Sequence, residues 1–489
     1  MEVKFSKLSL PSKGVALILV TEESKNSENL TKFIAKAPVK FEASFGQIIP
    51  ASEPDEHDLD LVILVGLGKA SDITEGKMRS LGGKIQVYLN QMKLAKTSII
   101  IDEIENTTLS TGNIAAQIAN GILLRSYNFD KYLSENKRKN SNHLVNLDFR
   151  LEQSDVAAKL FEEIRIIADG VFYARDLISE PANILTTEEY AKRCETLENL
   201  GVKVSILGEK EMKKLGMNSL LAVGQGSHAE SKLIIMEWLG NEDKTKEPLA
   251  FVGKGVVFDT GGISLKPAGN MDAMKADMGG SAAVVGLMKV LAMRNAKVNV
   301  VGVIGVVENM PSGNAQRPGD IVVSMSGQTI ECLNTDAEGR MVLADALHYT
   351  NVNYKPKLMV NLATLTGAIV VSLADIYSGI FSNNDELSKK LISAGEKTDE
   401  LLWRFPLCED YDKMIDSPNA DMQNIGNGRG AGSITAAQFL QRFVGKTPWA
   451  HLDIAGTSSK DRASDLAPKG AHGFGVRLLN QFVKEHYEQ

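Results

Sequence analysis

The sequence has little cysteine and no long uninterrupted hydrophobic segment. Its three cysteines, Cys194, Cys332 and Cys408, are far apart and form no CxxC pair. This spacing argues against a disulfide scaffold and a thiolate zinc site, and it favours a reducing compartment. The longest apolar stretch, residues 358–377, is interrupted by polar residues, and the N-terminal apolar run at 15–20 is too short for a secretory signal. We therefore expect a cytoplasmic protein with no membrane attachment.

The sequence also lacks a strong excess of either charge. It has 61 acidic and 54 basic residues, for a formal net charge of -7. This balance provides no overall attraction to nucleic acid or to an anionic membrane. With 43% hydrophobic and 24% charged residues, the composition is typical of a folded globular protein. The length of 489 residues exceeds one ordinary hydrophobic core and predicts two domains.

Several common catalytic motifs are absent. The sequence has no GxxxxGK[ST] and no GxGxxG, which argues against nucleotide binding. It has no HExxH, so a helix-based zinc peptidase is excluded, and no GxSxG turn. Ser433, His451 and Asp453 could suggest a catalytic triad, but His451 lies inside an apolar run, where a buried structural histidine is the simpler interpretation.

The pattern of apolar residues predicts an α/β protein in two parts. In the first part, residues 15–20, 61–65 and 97–101 have the composition of strands, and residues 82–93 and 112–125 that of helices. We predict a smaller N-terminal α/β domain at residues 1–152. Apolar residues at helical spacing then predict a linking helix at 153–178.

The second part, residues 179–489, is predicted to be a larger catalytic α/β domain. Strongly apolar runs at 249–252, 298–307, 358–362 and 449–454 suit strands of a central, mostly parallel or mixed sheet that is buried on both faces. Residues 281–293 and 341–349 have the pattern of the intervening helices. Ligand sites in such sheets form at the carboxyl ends of the strands.

Two glycine-rich clusters place charged residues at that edge. The segment NTDAEGR at 334–340 supplies Asp336, Glu338 and Arg340. A second segment at 253–280 supplies four more charged residues, which are Lys254, Asp259, Lys266 and Asp277. Four carboxylates in one site repel one another unless cations neutralise them, and they suit divalent ions such as Zn, Mn or Mg. The clusters therefore predict a two-metal site rather than solvated loop charges.

The basic residues suggest further roles. Beside a dication the pKa of a lysine falls, and its neutral amine can coordinate the metal. A second lysine can stay charged and stabilise a developing oxyanion. Arg340 lies just inside a predicted helix N-terminus, a position that favours a bound anion. From these residues alone, a two-metal peptidase and a two-metal phosphoesterase both remain open.

At this point the chain resembles the leucine aminopeptidase family, the two-metal cytosolic aminopeptidases of the M17 type. NTDAEGR matches the core of the family signature, and the seven charged residues fit its metal and catalytic set. Further similar segments are RDLISEPAN from Arg175, VGQGS from Val223, ATLTGA from Ala363 and WAHLDIAG from Trp449. The resemblance covers residues 169–479, and the first 150 residues carry no matching motif.

The resemblance implies a set of metal ligands. One ion, Mn or Zn, would be held by Lys254, Asp259, Asp277 and Glu338. The other would be held by Asp259, Glu338, and the side chain and backbone carbonyl of Asp336. Asp259 and Glu338 would thus bridge the two ions, and Asn334 is expected to support the site.

The resemblance also implies catalytic groups. Lys266 would polarise the substrate carbonyl and stabilise the tetrahedral intermediate. Arg340, with the backbone of Gly339 and Leu365, would hold a bicarbonate ion that acts as general base. The substrate's free α-amine would bind a metal, which would restrict cleavage to the N-terminal residue of peptide substrates.

The substrate pocket and the assembly are likewise implied by the family. Met274, Thr364, Gly367 and Ala455 match positions that line the pocket for the first side chain, and a homohexamer is expected. Ser458 stands where some members have methionine, so a preference for leucine over other apolar residues is an open point.

One further alternative is a nucleic-acid-binding role of the N-terminal domain. Some bacterial relatives have such a role, and a local basic run, Lys131, Lys137, Arg138 and Lys139, is compatible with it. The acidic overall balance argues against this alternative, and such a run is more often a solvated loop.

Overall fold

The computed structural model describes residues 1–26, 28–51, 58–138, 144–428 and 430–488. It divides into two compact units, one formed by Met1–Ala168 with Arg462–Lys469 and the other by Asp169–Asp461 with Gly470–Gln489. Each unit combines a sheet with helices, so the predicted two-domain α/β class is confirmed.

The first unit contains a six-stranded sheet. Its strands are β1 (Glu2–Ser6), β2 (Lys13–Thr21), β3 (Ile48–Ala51), β4 (Asp58–Gly68), β5 (Lys96–Ile100) and β6 (Asn146–Arg150), and its helices are α1 (Glu28–Ala35), α2 (Glu75–Gln91), α3 (Thr111–Arg125) and α4 (Glu135–Arg138). The strand order is β1-β6-β5-β2-β4-β3, parallel except for the edge strand β3, which runs antiparallel to β4.

Both faces of this sheet are buried, each in a separate hydrophobic core. Consecutive residues of a strand point to opposite faces, so one strand contributes to both cores. On β2, Leu17 and Leu19 belong to the core that α2 and α3 cover. Ile18 and Val20 belong to a separate core that includes Phe33 of α1. The helices begin where short polar side chains accept backbone N–H groups: Thr74 caps α2 and Ser110 caps α3.

A helix was predicted at 153–178, and α5 spans Ser154–Ser179. The division between the two units falls within it, after Ala168. In its second half the buried apolar residues are spaced three or four positions apart, at Ala168, Val171, Ala174, Leu177 and Ile178. This spacing gives the helix one apolar stripe.

The second unit contains an eight-stranded sheet and two small sheets. Its strands are β7 (Lys203–Leu207), β8 (Lys232–Leu239), β9 (Leu249–Asp259), β10 (Asn299–Asn309), β11 (Asp320–Val323), β12 (Thr329–Cys332), β13 (Leu358–Ala363), β14 (Ser378–Ser382), β15 (Leu402–Arg404), β16 (Met422–Gln423), β17 (Trp449–Asp453), β18 (Ser459–Lys460) and β19 (Gly470–Ala471). Its helices after α5 are α6 (Thr187–Glu195), α7 (Glu209–Lys214), α8 (Asn218–Gly224), α9 (Gly279–Met293), α10 (Glu338–Tyr354), α11 (Gly367–Leu373), α12 (Asp385–Thr398), α13 (Glu409–Lys413), α14 (Gly432–Gln441) and α15 (Val476–His486).

The large sheet has the order β15-β14-β17-β13-β9-β10-β8-β7. Its centre, β17-β13-β9-β10, is parallel, whereas β14 runs antiparallel to β17 and β8 antiparallel to β10. Helices α9 and α10 cover opposite faces. A Cβ atom added at Gly302 of β10 would meet Val284 and Met288 of α9, and one added at Gly305 would meet Val342 of α10.

The predicted strand at 249–252 is too short. Strand β9 continues to Asp259, so Lys254 lies inside a strand and does not follow one. The strand can continue at residue 253 because that residue is a glycine. A Cβ atom there would lie 2.5 Å from Cα of Ser281 in α9 and would clash with the helix. The glycine allows α9 to approach the strand closely.

One segment of the described residues, Met271–Met293, is long and apolar enough to cross a membrane by length and hydropathy. Of its apolar window, 83% is buried inside the protein, as in the core helix of a globular domain.

Candidate metal centre

Two strands of the large sheet, β9 and β13, and the helix α10 bring the two predicted clusters together. Strand β9 contributes Lys254 and ends at Asp259, α10 begins at Glu338, and Thr364 follows β13. Because β9 and β13 are parallel neighbours, their carboxyl ends lie side by side. The charged residues from 254 to 277 and from 336 to 340 therefore meet at one edge of one sheet.

Lys254 lies at the centre of the first group of contacts. Its Nζ is 2.8 Å from each carboxylate oxygen of Asp277 and 2.8 Å from Oε1 of Glu338. It also donates to the carbonyl oxygen of Thr364 at 2.9 Å. The hydroxyl of Thr364 donates to Oδ1 of Asp277 at 2.7 Å. Only 3% of the Lys254 side chain is exposed, so these contacts are shielded from bulk water.

Lys266 lies at the centre of the second group. Its Nζ is 2.8 Å from Oδ2 of Asp259 and also forms an ion pair with Asp336. The other oxygen of Asp259 accepts the N–H of Gly261 at 2.9 Å and the side-chain amide of Asn309 at 2.7 Å. Unlike Lys254, Lys266 keeps 20% of its side chain exposed and is reachable from solvent.

The carboxylates fit a metal ion. Asp259, Asp336 and Glu338 each offer an oxygen, and these three oxygens lie within 4.8 Å of one another. Glu338 is buried, and its Oε2 has no hydrogen-bond partner among the described residues. A buried carboxylate oxygen is costly without a partner, and a hard divalent cation would satisfy it.

Burial dominates the electrostatics of these acids. It raises the pKa of Glu338, and the nearby carboxylate of Asp259 raises it further, against the opposing effect of Lys254. Burial likewise raises the pKa of Asp277. Burial lowers the pKa of Lys254, but the surrounding carboxylates outweigh it and raise that pKa above its ordinary value. The site thus concentrates negative charge that positive charge must balance.

Arg340 has the features of an anion-binding group. It is buried in the first turn of α10, and its Nε has no hydrogen-bond partner among the described residues. Burial lowers its pKa to about 10, and the carboxylates of Glu338 and Asp453 oppose this effect. A guanidinium N–H without a protein partner fits a small oxyanion such as bicarbonate. The N–H of Leu365, expected in the same cradle, donates to Oδ1 of Asp453 at 3.1 Å.

Of the four predicted pocket residues, Thr364 and Ala455 lie in loops and Met274 and Gly367 lie in short helices. Thr364 contacts the carboxylate cluster directly through Asp277. Met274 lies in the 3-10 helix Met271–Ala276, and its carbonyl accepts the N–H of Asp277. Gly367 begins α11, and the N–H of Ala455 donates to Asp453 at 3.3 Å.

The interpretation of His451 as a buried structural histidine, preferred to a catalytic triad, is confirmed. The ring of His451 is buried, stacks on Phe381 and Trp449, and its Nδ1 lies 2.9 Å from the side-chain amide of Asn361. Burial lowers its pKa to about 3. The hydroxyl of Ser433 instead contacts that of Thr366 at 2.7 Å.

Sequence reasoning missed Asn309 and Asn424, which hold the site, and it considered Asp453 only for a catalytic triad and gave it no role here. Asn309, at the end of β10, links Asp259 to the carbonyl of Thr335 at 3.1 Å. Asp453, at the end of β17, binds the hydroxyl of Thr366 at 2.7 Å and fixes the loop after β13. Asn309 and Asp453 could have been found from the sequence, because each is a polar residue at the end of a buried strand. Asn424 gave no signal in the sequence.

The basic run in the first unit is exposed where the structure describes it. Arg138 donates to the carbonyl of Asp130 at 3.1 Å. Lys139 lies outside the described residues. Nucleic-acid binding by this run therefore stays a prediction.

Replacing Gly339 by alanine is expected to weaken metal binding and to destabilise the second unit by about 1–3 kcal/mol. The added Cβ would lie 2.6 Å from Cε and 2.8 Å from Nζ of Lys254, whose position is fixed by its buried ion pairs. Thermal unfolding and a metal titration would measure both effects. Gly313→Ala is the control, because a Cβ atom there meets nothing within 4 Å. Equal metal affinity in the two variants would contradict the expectation.

Comparison with known proteins gives matches over the whole chain. The model of the cytosol aminopeptidase family, catalytic domain, matches residues 172–480, and that of its N-terminal domain matches residues 22–136. The chain is 50% identical over 496 residues to a "Probable cytosol aminopeptidase" of Brucella ovis, with 99% of each chain covered. It is 52% identical over 476 residues to one of Rickettsia bellii, covering 96% of this chain and 94% of the relative. A solved structure, "Bottromycin maturation enzyme BotP in complex with Mn", is similar with a TM-score of 0.85 and 30% identity, covering 96% of this chain and 98% of that one.

Proposed function

The chain belongs to the cytosol aminopeptidase family, as its motifs predicted, and we propose that it uses two divalent ions to release N-terminal amino acids from peptides. Membership of this family makes it a metal-dependent aminopeptidase. Leucine and other apolar residues are the proposed preference at the N-terminal position. The observation that supports the two-ion site is the convergence of four carboxylates and two lysines, with a buried oxygen of Glu338 that lacks a protein partner among the described residues. This donor set is of the hard oxygen type that suits Mn or Zn.

Two groups of residues would hold the ions. Lys254, Asp259, Asp277 and Glu338 would bind one, and Asp259, Asp336 and Glu338 the other. When bound, the ions would supply a Lewis acid for the peptide carbonyl and would lower the pKa of a water molecule. The similar BotP structure is a complex with Mn, which supports manganese as the first metal to test.

The two lysines would have different tasks, and their exposure supports this division. Lys254 is enclosed by Asp277 and Glu338 and would act as a metal ligand after losing a proton. Lys266 is partly exposed and would present its ammonium to the substrate carbonyl oxygen. There it would stabilise the negative charge that develops as the tetrahedral intermediate forms.

Arg340 would hold the general base. Its buried Nε is free of protein partners among the described residues and would bind bicarbonate, with the N–H of Gly339 beside it. Arg340 would thus place beside the metal site an anion whose chemistry, when it is bound, would be that of a general base for the attacking water. The N–H of Leu365 would join this cradle only by giving up its hydrogen bond to Asp453.

Recognition of the substrate would rest on its free α-amine and its first side chain. Met274, Thr364, Gly367 and Ala455 would line the pocket for that side chain. Ser458 is buried, and its hydroxyl has no hydrogen-bond partner among the described residues. A hydroxyl near the pocket would reduce the advantage of leucine over smaller apolar residues. The homohexamer, which the family resemblance implies, and the cytoplasmic location, which the cysteine spacing and the apolar pattern predict, stay predictions.

Hydrolysis of leucine amide tests the proposed function. The protein is first stripped of metal with a chelator and then assayed with Mn, Zn or Mg in turn. We expect negligible hydrolysis without metal and recovery with Mn or Zn. N-acetyl-leucine amide is the matched control, because it lacks the free amine, and its rate should be at least about 10²-fold lower. p-Nitrophenyl phosphate tests the phosphoesterase alternative, and preferential hydrolysis of this ester would overturn the proposal.

A further inference from the structure

Asn424 is a buried residue whose side chain binds one loop of the site from a distant part of the chain. It follows β16 and is 0% exposed. Its Oδ1 accepts the N–H groups of Leu333 at 2.8 Å and Asn334 at 3.3 Å. Its Nδ2 donates to the carbonyl of Asn334 at 2.6 Å and to that of Ala337 at 3.3 Å. These four contacts are with the backbone of residues 333–337, and Nδ2 also lies 3.6 Å from Sγ of Cys332.

These contacts use the full capacity of an asparagine side chain. An amide group has two donor hydrogens and two acceptor lone pairs, and the two donor and two acceptor contacts with the loop match this number. They reach both ends of the segment that contains Asp336, and Ala337 directly precedes Glu338. The amide therefore fixes the backbone from which both carboxylates project.

Residues 333–337 are also held by hydrogen bonds from other segments, through the hydroxyl and the carbonyl of Thr335. The hydroxyl of Thr335 donates to the carbonyl of Gly261 at 2.6 Å and accepts the N–H of Ser264 at 2.8 Å. Asn309 donates to the carbonyl of Thr335 at 3.1 Å. The bonds of the Thr335 hydroxyl connect the loop to the segment after Asp259, and the bond from Asn309 connects it to the end of β10. Asn424 supplies the side-chain hydrogen bonds that hold the loop from the 422–428 side.

We propose that Asn424 is a positioning residue that sets metal affinity by holding residues 333–337 in the conformation that aims Asp336 and Glu338 at the ions. The inference rests on the proposed two-metal function. Carboxylate ligands bind tightly when their backbone is already ordered, because ordering then costs no binding free energy. Without this amide, metal binding would have to order the loop as well, and the metal affinity would be lower.

Asn299 provides a matched control in the same unit. It is also buried, at 3% exposure, and lies at the start of β10. Its Oδ1 accepts the N–H of Asn241 at 3.2 Å, and its Nδ2 donates to the carbonyls of Asp243 at 2.9 Å and Lys246 at 3.1 Å. It therefore binds the backbone of a loop in the same way as Asn424, but this loop contains none of the proposed ligands.

The experiment compares Asn424→Ala with Asn299→Ala in the full chain. Manganese affinity is measured by calorimetric titration of the metal-free proteins. We expect a 10- to 100-fold weaker affinity in Asn424→Ala, roughly the range that loss of a residue supporting metal ligands causes, and no more than about a two-fold change in Asn299→Ala. Hydrogen exchange in the metal-free state should become faster for residues 333–337 in Asn424→Ala alone.

A second variant covers the case in which Asn424→Ala fails to fold. Asn424→Ser keeps one hydroxyl that can donate and accept, so its affinity should lie between those of the wild type and the alanine variant. Folded Asn424 variants that bind manganese as tightly as the wild type would overturn the inference. Equal weakening in Asn299→Ala would also overturn it, since the effect would then follow from lost stability. If the wild type itself binds no manganese, the proposed function fails first, and the exchange result alone decides the role of Asn424.

Discussion

Replacing Lys266 by alanine should lower the turnover number for leucine amide by about 10²- to 10³-fold and leave the metal content intact. The expected loss is that of one donor to a developing oxyanion. Lys266 contacts Asp259 and Asp336 with its ammonium but is not itself a proposed ligand. The Michaelis constant should change less than the turnover number, because the contact strengthens in the transition state.

Steady-state kinetics with elemental analysis of the purified proteins would check this prediction. Lys275→Ala is a suitable control, since Lys275 donates to the carbonyl of Ser179 at 3.1 Å and contacts none of the proposed ligands. The control should retain a turnover number within about two-fold of the wild type. An unchanged turnover number in Lys266→Ala would remove Lys266 from the mechanism, and loss of metal would reassign it to metal binding.

Replacing Glu338 by glutamine should reduce metal occupancy and with it nearly all activity. Glu338 is, with Asp259, one of the two carboxylates proposed to contact both ions, and a neutral amide is a much weaker ligand for a cation than a carboxylate. We expect metal affinity to fall by more than the roughly 10- to 100-fold that loss of a supporting residue costs. Asp336→Asn should weaken metal binding as well, and to a smaller extent, because Asp336 is proposed to contact one ion only.

Glu400→Gln separates the loss of a ligand from the loss of a buried acid. Both glutamates are 3% exposed, but Glu400 accepts the N–H groups of Gly475 at 3.1 Å and Leu478 at 2.9 Å and so caps α15. Its replacement should lower the melting temperature and leave metal occupancy at the wild-type level. Full occupancy in both Glu338→Gln and Asp336→Asn would count against the proposed ligand set.

Much of the fold could be predicted from the apolar pattern. The runs at 358–362 and 449–454 became β13 and β17, and the helical spacing at 154–176 became α5. These elements are long or strongly apolar, so burial alone specifies them. The strand at 249–252 was predicted too short because Gly253, Lys254 and Gly255 interrupt the apolar run, although all three are buried within β9.

The sequence identified the charged residues of the site and missed two of its asparagines. The sequence identified the charged groups that the structure gathers around Lys254 and Lys266, because they lie in two glycine-rich clusters at 253–280 and 334–340. It did not identify Asn309 or Asn424. An asparagine carries no charge, and its role depends entirely on which backbone groups lie beside it.

The sequence by itself determined the α/β class, the charged residues of the centre and the family, since these follow from local composition, spacing and motif. Tertiary structure alone decided which lysine is enclosed and which faces solvent, and which asparagine holds the ligand loop. Exposure and hydrogen-bond partners arise from segments that lie far apart in the sequence, 90 residues in the case of Asn424 and Asn334. No local pattern encodes such a contact, because its geometry exists only after β12 and β16 have paired.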